Sequence, residues 1–319
     1  MRTSTVRPLP PDLKSKAFNE LNETDDRIQS DLIILKDWLS KCQYINSCMD
    51  DQFLIGFLRG SKFSIEKAKE KLDMYYSSRY IAPEIYPKDK MKNPKIFEIL
   101  KQGISIPLPQ VEHPAAPRVV IIRAGLFNPE TVHITEVFQM AVMMYAIMLL
   151  EDDNFVVSGL VNIVDMKGIS PMQMSQFTPK LIEKLIFITQ DALPVRQRAF
   201  HFLNLPPGLT TVLNMFKNLM NAKNKGRYKD SSLQIEVHGT KLEKLHKFIP
   251  KSILPVEYGG DSLSIDELMQ IWEDKFKKYE KFFLEDENYG TDESKRPGGP
   301  RKKSNNETMV GTFRQLSVD

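Results

Sequence analysis

The sequence predicts an α/β fold: a small all-helical N-terminal region followed by a larger domain built on a mostly parallel sheet. Three observations carry that prediction. Leu32, Leu35, Trp38 and Leu39 recur at helical spacing near the N-terminus. From about Ile104, short β-branched runs alternate with longer apolar stretches of helical period. Alternation of that kind implies βαβ units, which bring parallel strands together.

The elements follow in order. Residues 1–11 form a flexible N-terminus, with Arg and Pro but no apolar segment of the kind a secretory signal needs. Residues 12–90 read as helical. Beyond the first helix, Asp51 to Leu58 forms another, and a third runs from the N-cap Ser64 to about Arg79. Pro83 and Pro87 break the pattern. Residues 91–284 hold the α/β domain. Its strands are expected at Val119 to Ala124, Val156 to Val164, Ala199 to Leu203 and Leu233 to Val237. Helices are expected at Thr135 to Leu150, Pro179 to Gln190 and Pro207 to Ala222. A capping box, Ser264-Ile-Asp-Glu267, opens a last helix to about Phe283. Residues 285–319 are polar, with Gly298-Gly299-Pro300 and Arg301-Lys302-Lys303, and composition reads them as a disordered tail.

Composition narrows the function classes. With 41% apolar and 27% charged residues the chain is ordinary globular material. A net charge of +3 is too small for a chain that binds nucleic acid along its whole length, so any electrostatic role must be local. Two cysteines, Cys42 and Cys48, make no disulfide framework and suit a reducing compartment. The greasiest run, Val137 to Leu150, is shorter than the roughly 20 residues a membrane span needs and reads as a buried helix.

No catalytic signature is present. The sequence has no G-x-S-x-G elbow, no phosphate loop and no G-x-G-x-x-G fingerprint. His113, His133, His201, His238 and His246 show no metal-ligand spacing, and His201 reads as a strand histidine with a core role. Asp165 ends a strand and reads as a turn cap. The expectation is a protein without catalytic residues, metal or cofactor.

The apolar helices point elsewhere. In Val137 to Leu150 one face is Phe138, Ala141, Val142, Tyr145, Met148 and Leu149, while Met140, Met143, Met144 and Ile147 make the other side apolar too. A helix apolar all round is buried, and methionines make an adaptable wall. Leu181 to Ile188 is similarly greasy. A third helix sets Leu209, Val212, Leu213, Phe216, Leu219 and Met220 on one stripe, after the hinge-like Pro206-Pro207-Gly208. It lies inside Pro194 to Lys229, which contains Arg196, Arg198, Lys217, Lys223, Lys225, Arg227 and Lys229 and no acid. An apolar helix among unbalanced positive charges reads as a hinged lid beside a basic surface. Covering roughly 400 Å² of apolar ligand at ~25 cal/mol/Å² is worth about 10 kcal/mol before association costs. Each Lys or Arg near an anionic membrane adds about 1 kcal/mol, so docking can stay reversible.

Several segments together resemble the CRAL-TRIO lipid-transfer family, in its tocopherol- and retinaldehyde-binding branch. They are Asp51-Gln-Phe-Leu-Ile-Gly-Phe-Leu-Arg59-Gly-Ser-Lys62-Phe63, Val164-Asp165-Met-Lys-Gly168, Pro194 to Pro206, Val237-His238-Gly239, and Leu254-Pro255-Val-Glu257-Tyr-Gly259-Gly260. The resemblance covers about residues 12 to 275. It implies a CRAL-TRIO α/β domain with a lipid cavity closed by a mobile lid helix, and no catalysis. The cavity positions it implies are Phe138, Ala141, Tyr145, Val164, Leu185, Ile188 and Leu193, with Val142, Leu181 and Phe202 completing the lining. The resemblance implies headgroup contacts at Arg196, Arg198, Lys223 and Arg227, beside Lys217, for a membrane carrying bisphosphorylated phosphatidylinositol.

The expected protein is therefore a cytoplasmic, monomeric carrier that visits membranes reversibly and binds one lipophilic molecule such as a tocopherol or retinoid, but no nucleic acid. The second reading is a phosphoinositide-binding adaptor with a vestigial pocket. An enzyme of another type rests only on Asp165 and His201.

Overall fold

The computed structural model describes residues 6–209, 213 and 233–301. Four helices open the chain: α1 (Pro11–Leu21), α2 (Asp25–Lys41), α3 (Asp51–Gly60) and α4 (Ile65–Ile81). Local chemistry sets their starts. Pro11 occupies the first turn of α1, the Thr24 side chain accepts from the Arg27 amide, and Asp50 accepts from the Phe53 amide. Ser64 stands at the cap of α4, yet its side chain makes no capping bond. Every residue of α3 from Phe53 onward is buried, which makes it the central helix of this region. It ends at Gly60, where a Cβ would lie 2.2 Å from the Pro194 carbonyl oxygen. Only glycine lets the helix end approach the α/β domain that closely.

After α5 (Lys95–Lys101) comes a five-stranded sheet: β2 (Ser105–Pro107), β3 (Arg118–Arg123), β4 (Leu160–Asp165), β5 (Gln197–Leu203) and β6 (Gln234–Gly239). The strands lie side by side in that order. β2 runs antiparallel to β3, and β3 through β6 are mutually parallel. The two-residue β1 (Ile45–Asn46) belongs to a separate pairing described below. The strand expected at 156–164 is corrected. Its first two residues, Val156 and Val157, end a short helix, α7 (Asp153–Val157), which Asp152 caps by accepting from the Phe155 amide. Gly159 then turns the chain with φ near 99°, and β4 begins at Leu160.

The helix α6 (Ile134–Glu151) is the greasiest. It is long and apolar enough to cross a membrane, but Met140, Met143, Met144, Ile147 and Met148 are buried in the main core, so it serves as a core helix. His133 and Glu136 form its capping box. Two shorter helices follow, α8 (Pro171–Ser175) and α9 (Pro179–Ile186), the latter running on as a π-helical turn over Phe187–Ala192. Past β6 come α10 (Leu242–Leu245), α11 (Ile265–Lys278), opened by the predicted Ser264–Glu267 capping box, and α12 (Glu280–Asp286).

The polar stretch from residue 285 is a second correction, because 285–301 is built into the fold. Strand β7 (Gly290–Thr291) pairs antiparallel with β1. Asp286 accepts from Arg79 at 2.6 Å and Lys90 at 2.5 Å. Arg296 forks onto Asp73 at 2.9 and 2.7 Å and stacks over Tyr44, and Arg301 reaches the same aspartate. Composition registers the charges of this segment but not the partners waiting for them on α4. Residues 302–319 lie outside the described set.

Candidate functional site

Side chains alternate across β-strands, so the sheet has two faces. On the front, Ile122 of β3, Val164 of β4, Phe202 of β5 and Val237 of β6 stand opposite one another in register. Ile122 and Val164 are half-buried, Phe202 is 8% exposed, and Val237 on the edge strand is 44% exposed. A parallel row is Val120, Asn162, Phe200 and Ile235. Its single polar member, Asn162, donates to the Gln197 side chain at 2.8 Å. The rings of Phe200 and Phe202 stack at 6.3 Å.

Helix α6 supplies a matching stripe. Phe138, Ala141, Val142 and Tyr145 are half-buried and fall at the i, i+3, i+4, i+7 spacing of one helix face. Phe138 packs edge-on against Phe177, and Tyr145 stacks on Phe155. The Tyr145 hydroxyl has no hydrogen-bond partner among the described residues, and burial pushes its pKa up to about 12. Leu181, Ile188 and Leu193 are buried and Leu185 is half-buried; Leu181, Leu185, Ile188 and Leu193 all belong to or pack on the same apolar cluster. Sequence reasoning missed Ile122, Phe200, Ile235 and Val237, although strand alternation from Val164 and Phe202 points to them.

Of the lid residues, Leu209 closes a 3-10 turn and is half-buried, and Leu213 is buried. Val212, Phe216, Leu219 and Met220 lie outside the described residues, as do Lys217, Lys223 and Arg227.

The two remaining headgroup candidates have separate fates. Arg196 is buried; it donates to the Val157 carbonyl and to Glu20 of α1 at 3.2 Å. It ties α1 to the start of β5, so its predicted role at an open basic groove is corrected. Arg198 sits where a bulge interrupts the β4–β5 register. A bulge re-aims a side chain, and Arg198 turns to the back of the sheet, donating to the Ser158 carbonyl at 2.8 Å and to Glu20 at 3.3 Å. Burial raises the Glu20 pKa, but Lys16, Arg196 and Arg198 outweigh it and hold the carboxyl below its usual range. Arg198 and Lys16 there border a cleft of about 380 Å³, floored by Val119, Val161 and Ala199.

His201 lies on this back face, 3% exposed, with Nδ1 2.9 Å from His238 Nε2. Burial first, and His238 second, push its pKa down to about 4. The pair is a satisfied core contact, and among the described residues no three metal-capable side chains gather. Asp165 is likewise occupied. It caps the turn at the Lys167 amide and accepts from Asn204 at 2.7 Å and from the Tyr258 hydroxyl at 2.8 Å. That last bond joins the strand-end motif to the closing motif, where a Cβ at Gly260 would meet the Leu254 carbonyl oxygen at 2.0 Å.

The fold and motifs meet known proteins here. The CRAL/TRIO domain model matches residues 105–260, and a model described as Pinta-like, UBA domain matches residues 24–96. The human protein "Alpha-tocopherol transfer protein-like" is 33% identical over 257 residues, covering 80% of this chain and 72% of that one. Human Clavesin-2 is 27% identical over 253 residues, covering 79% and 75%. A crystal structure of Sfh5 superimposes with a TM-score of 0.48 at 16% identity, covering 80% of this chain and 99% of that one. The chain belongs to the CRAL-TRIO family.

Proposed function

We propose that this protein binds one lipophilic small molecule against the front of its sheet and transfers it between membranes. The observation that carries the reading is the uncharged row Ile122–Val164–Phe202–Val237, together with the half-buried α6 stripe of Phe138, Ala141, Val142 and Tyr145. Apolar surface of this kind, left half open at the sheet edge, gains roughly 25 cal/mol for every Å² that a hydrocarbon covers. Tyr145 offers one hydroxyl in an apolar wall, suited to a cargo with a single polar group such as a tocopherol or retinoid. The name of the relative that is 33% identical supports that class. Leu209 to Met220 is proposed as the cover, and of these Leu209 and Leu213 lie among the described residues. No side chain on the front rows is placed to act on a substrate, which supports carriage rather than catalysis.

The reading includes cytoplasmic location and reversible docking to phosphoinositide-bearing membranes. Arg198 with Lys217, Lys223 and Arg227 supplies the positive charge, while Arg196 holds the strand in place. The test is extraction of the protein after incubation with tocopherol, retinoid and phospholipid mixtures, followed by mass spectrometry. One lipid per chain is expected. A chain that retains none of these classes contradicts the carrier reading and favours the adaptor.

A further inference from the structure

The chain just after the edge strand builds a second, differently composed surface. Leu242, Leu245 and Ile249 lie on the inward side of a short helical segment, with Leu245 fully buried. The backbone bonds from His246 to Leu242, and from Phe248 and Ile249 to Leu245, carry the helical path from α10 through residue 249. Helical periodicity then places Lys244 and Lys247 on the opposite, outward side, with Lys241 and Phe248 flanking it. All four are exposed, as is Lys251 one turn further on. None of the four lysine ammonium groups has a hydrogen-bond or ion-pair partner among the described residues. Two acids stand beside them, Glu243 on the same segment and Asp261, whose amide donates to the Lys251 carbonyl, while the Glu257 side chain accepts from the Ile265 amide.

Phe248 is 46% exposed, and its inner edge rests on the rings of His201 and His238 at 5.3 and 5.4 Å. It is therefore a held ring at the surface. Val256, 55% exposed, follows on the same connection. We propose that Lys241, Lys244, Lys247 and Lys251, set around Phe248, form a docking surface for an anionic lipid bilayer, distinct from the cargo face. A bilayer surface offers both chemistries this patch presents: negative headgroups for the lysines and an acyl boundary for the ring. The cations are all lysine, point charges suited to a diffuse negative surface; a site that reads one phosphate or carboxylate by shape favours the arginine fork. The patch adjoins β6, whose Val237 opens on the front. Docking here sets the open edge of the cargo face beside the membrane. The inference extends the proposed membrane visits and is separable from the identity of the cargo.

The experiment is flotation of the full chain with vesicles of phosphatidylcholine alone and with phosphatidylserine added. The wild-type protein is expected to float with the anionic vesicles only, and to detach as salt is raised. At about fivefold per lysine, K244E/K247E/K251E lowers partitioning at least about 100-fold. F248S weakens binding but leaves its salt dependence. The far-UV circular dichroism spectrum and melting temperature serve as the folding control and are expected to be unchanged in the triple variant. If that variant folds poorly, K247E alone decides, with a loss of at least about fivefold expected. Flotation of K244E/K247E/K251E or K247E equal to wild type overturns the proposal, as does a wild-type chain that ignores anionic vesicles.

Discussion

The seam between the C-terminal segment and α4, and the front of the sheet, are opposite arrangements in one chain. At the seam, charged side chains meet buried partners: Asp286 with Arg79 and Lys90, and Arg296 with Asp73. On the front, Ile122 and Val164 stay half-buried and Val237 is exposed at the sheet edge, with Phe202 buried between them. A polar segment has become fixed structure, while a greasy row has been left available. Composition assigns those roles the other way round. The difference teaches that polarity alone does not mark a mobile tail, and that incomplete burial of apolar surface is what the proposed cargo site rests on.

The strongest way to break the contrast is at the seam. Asp286→Ala leaves Arg79 and Lys90 buried without their carboxylate, and loss of one partner of a buried pair costs about 3–5 kcal/mol. Urea unfolding is expected to show it, with cargo binding retained at low denaturant. Acid should act in the same direction. Burial raises the Asp286 pKa, but Arg79 and Lys90 reverse this and leave it below the usual carboxylate range. Its contribution is thus present at neutral pH and fades as pH falls through that lowered value.

The back face gives the next effect. The His201 pKa lies at about 4, below an unfolded value near 6.5. The neutral imidazole is favoured in the fold, so stability is full above pH 6.5 and declines as pH falls toward 4, by up to about 3 kcal/mol. Thermal melts across that range should show the decline, and His201→Phe should flatten it.

On the front, Phe202→Asp places a charge in the middle of the apolar row. It is expected to weaken cargo binding by about 2–3 kcal/mol, measured by displacement of a fluorescent lipophile. Val237→Ser, at the open edge, sharpens the comparison: about 1 kcal/mol or less of affinity, with unfolding unchanged.

Much of the fold was legible because periodicity is local. The α6 run, the parallel strands and the Ser264 capping box all announce themselves within a few residues. The misses are long-range or fine-grained. Phe155-Val156-Val157 looks like the start of a strand, and only the Asp152 cap turns it into helix. β2 is three residues ending in Pro107, too short to signal. β7 depends on a partner 246 residues away, since Thr291 pairs with Ile45. In the site, Val164 and Phe202 were legible, and alternation extends them to the whole row. Arg196 was read by its charge, whereas its burial depends on Glu20 and Val157, which no local pattern brings near.

The central claim is that cargo lies on the front of the sheet. Photoaffinity labelling with a diazirine-bearing lipophile, followed by peptide mapping, tests it most directly. Labels are expected in the peptides of α6, β4 and β5 that carry Tyr145, Val164 and Phe202, and Phe202→Asp should suppress them. Labels confined to residues 241–256, or labelling unchanged by Phe202→Asp, would contradict the account.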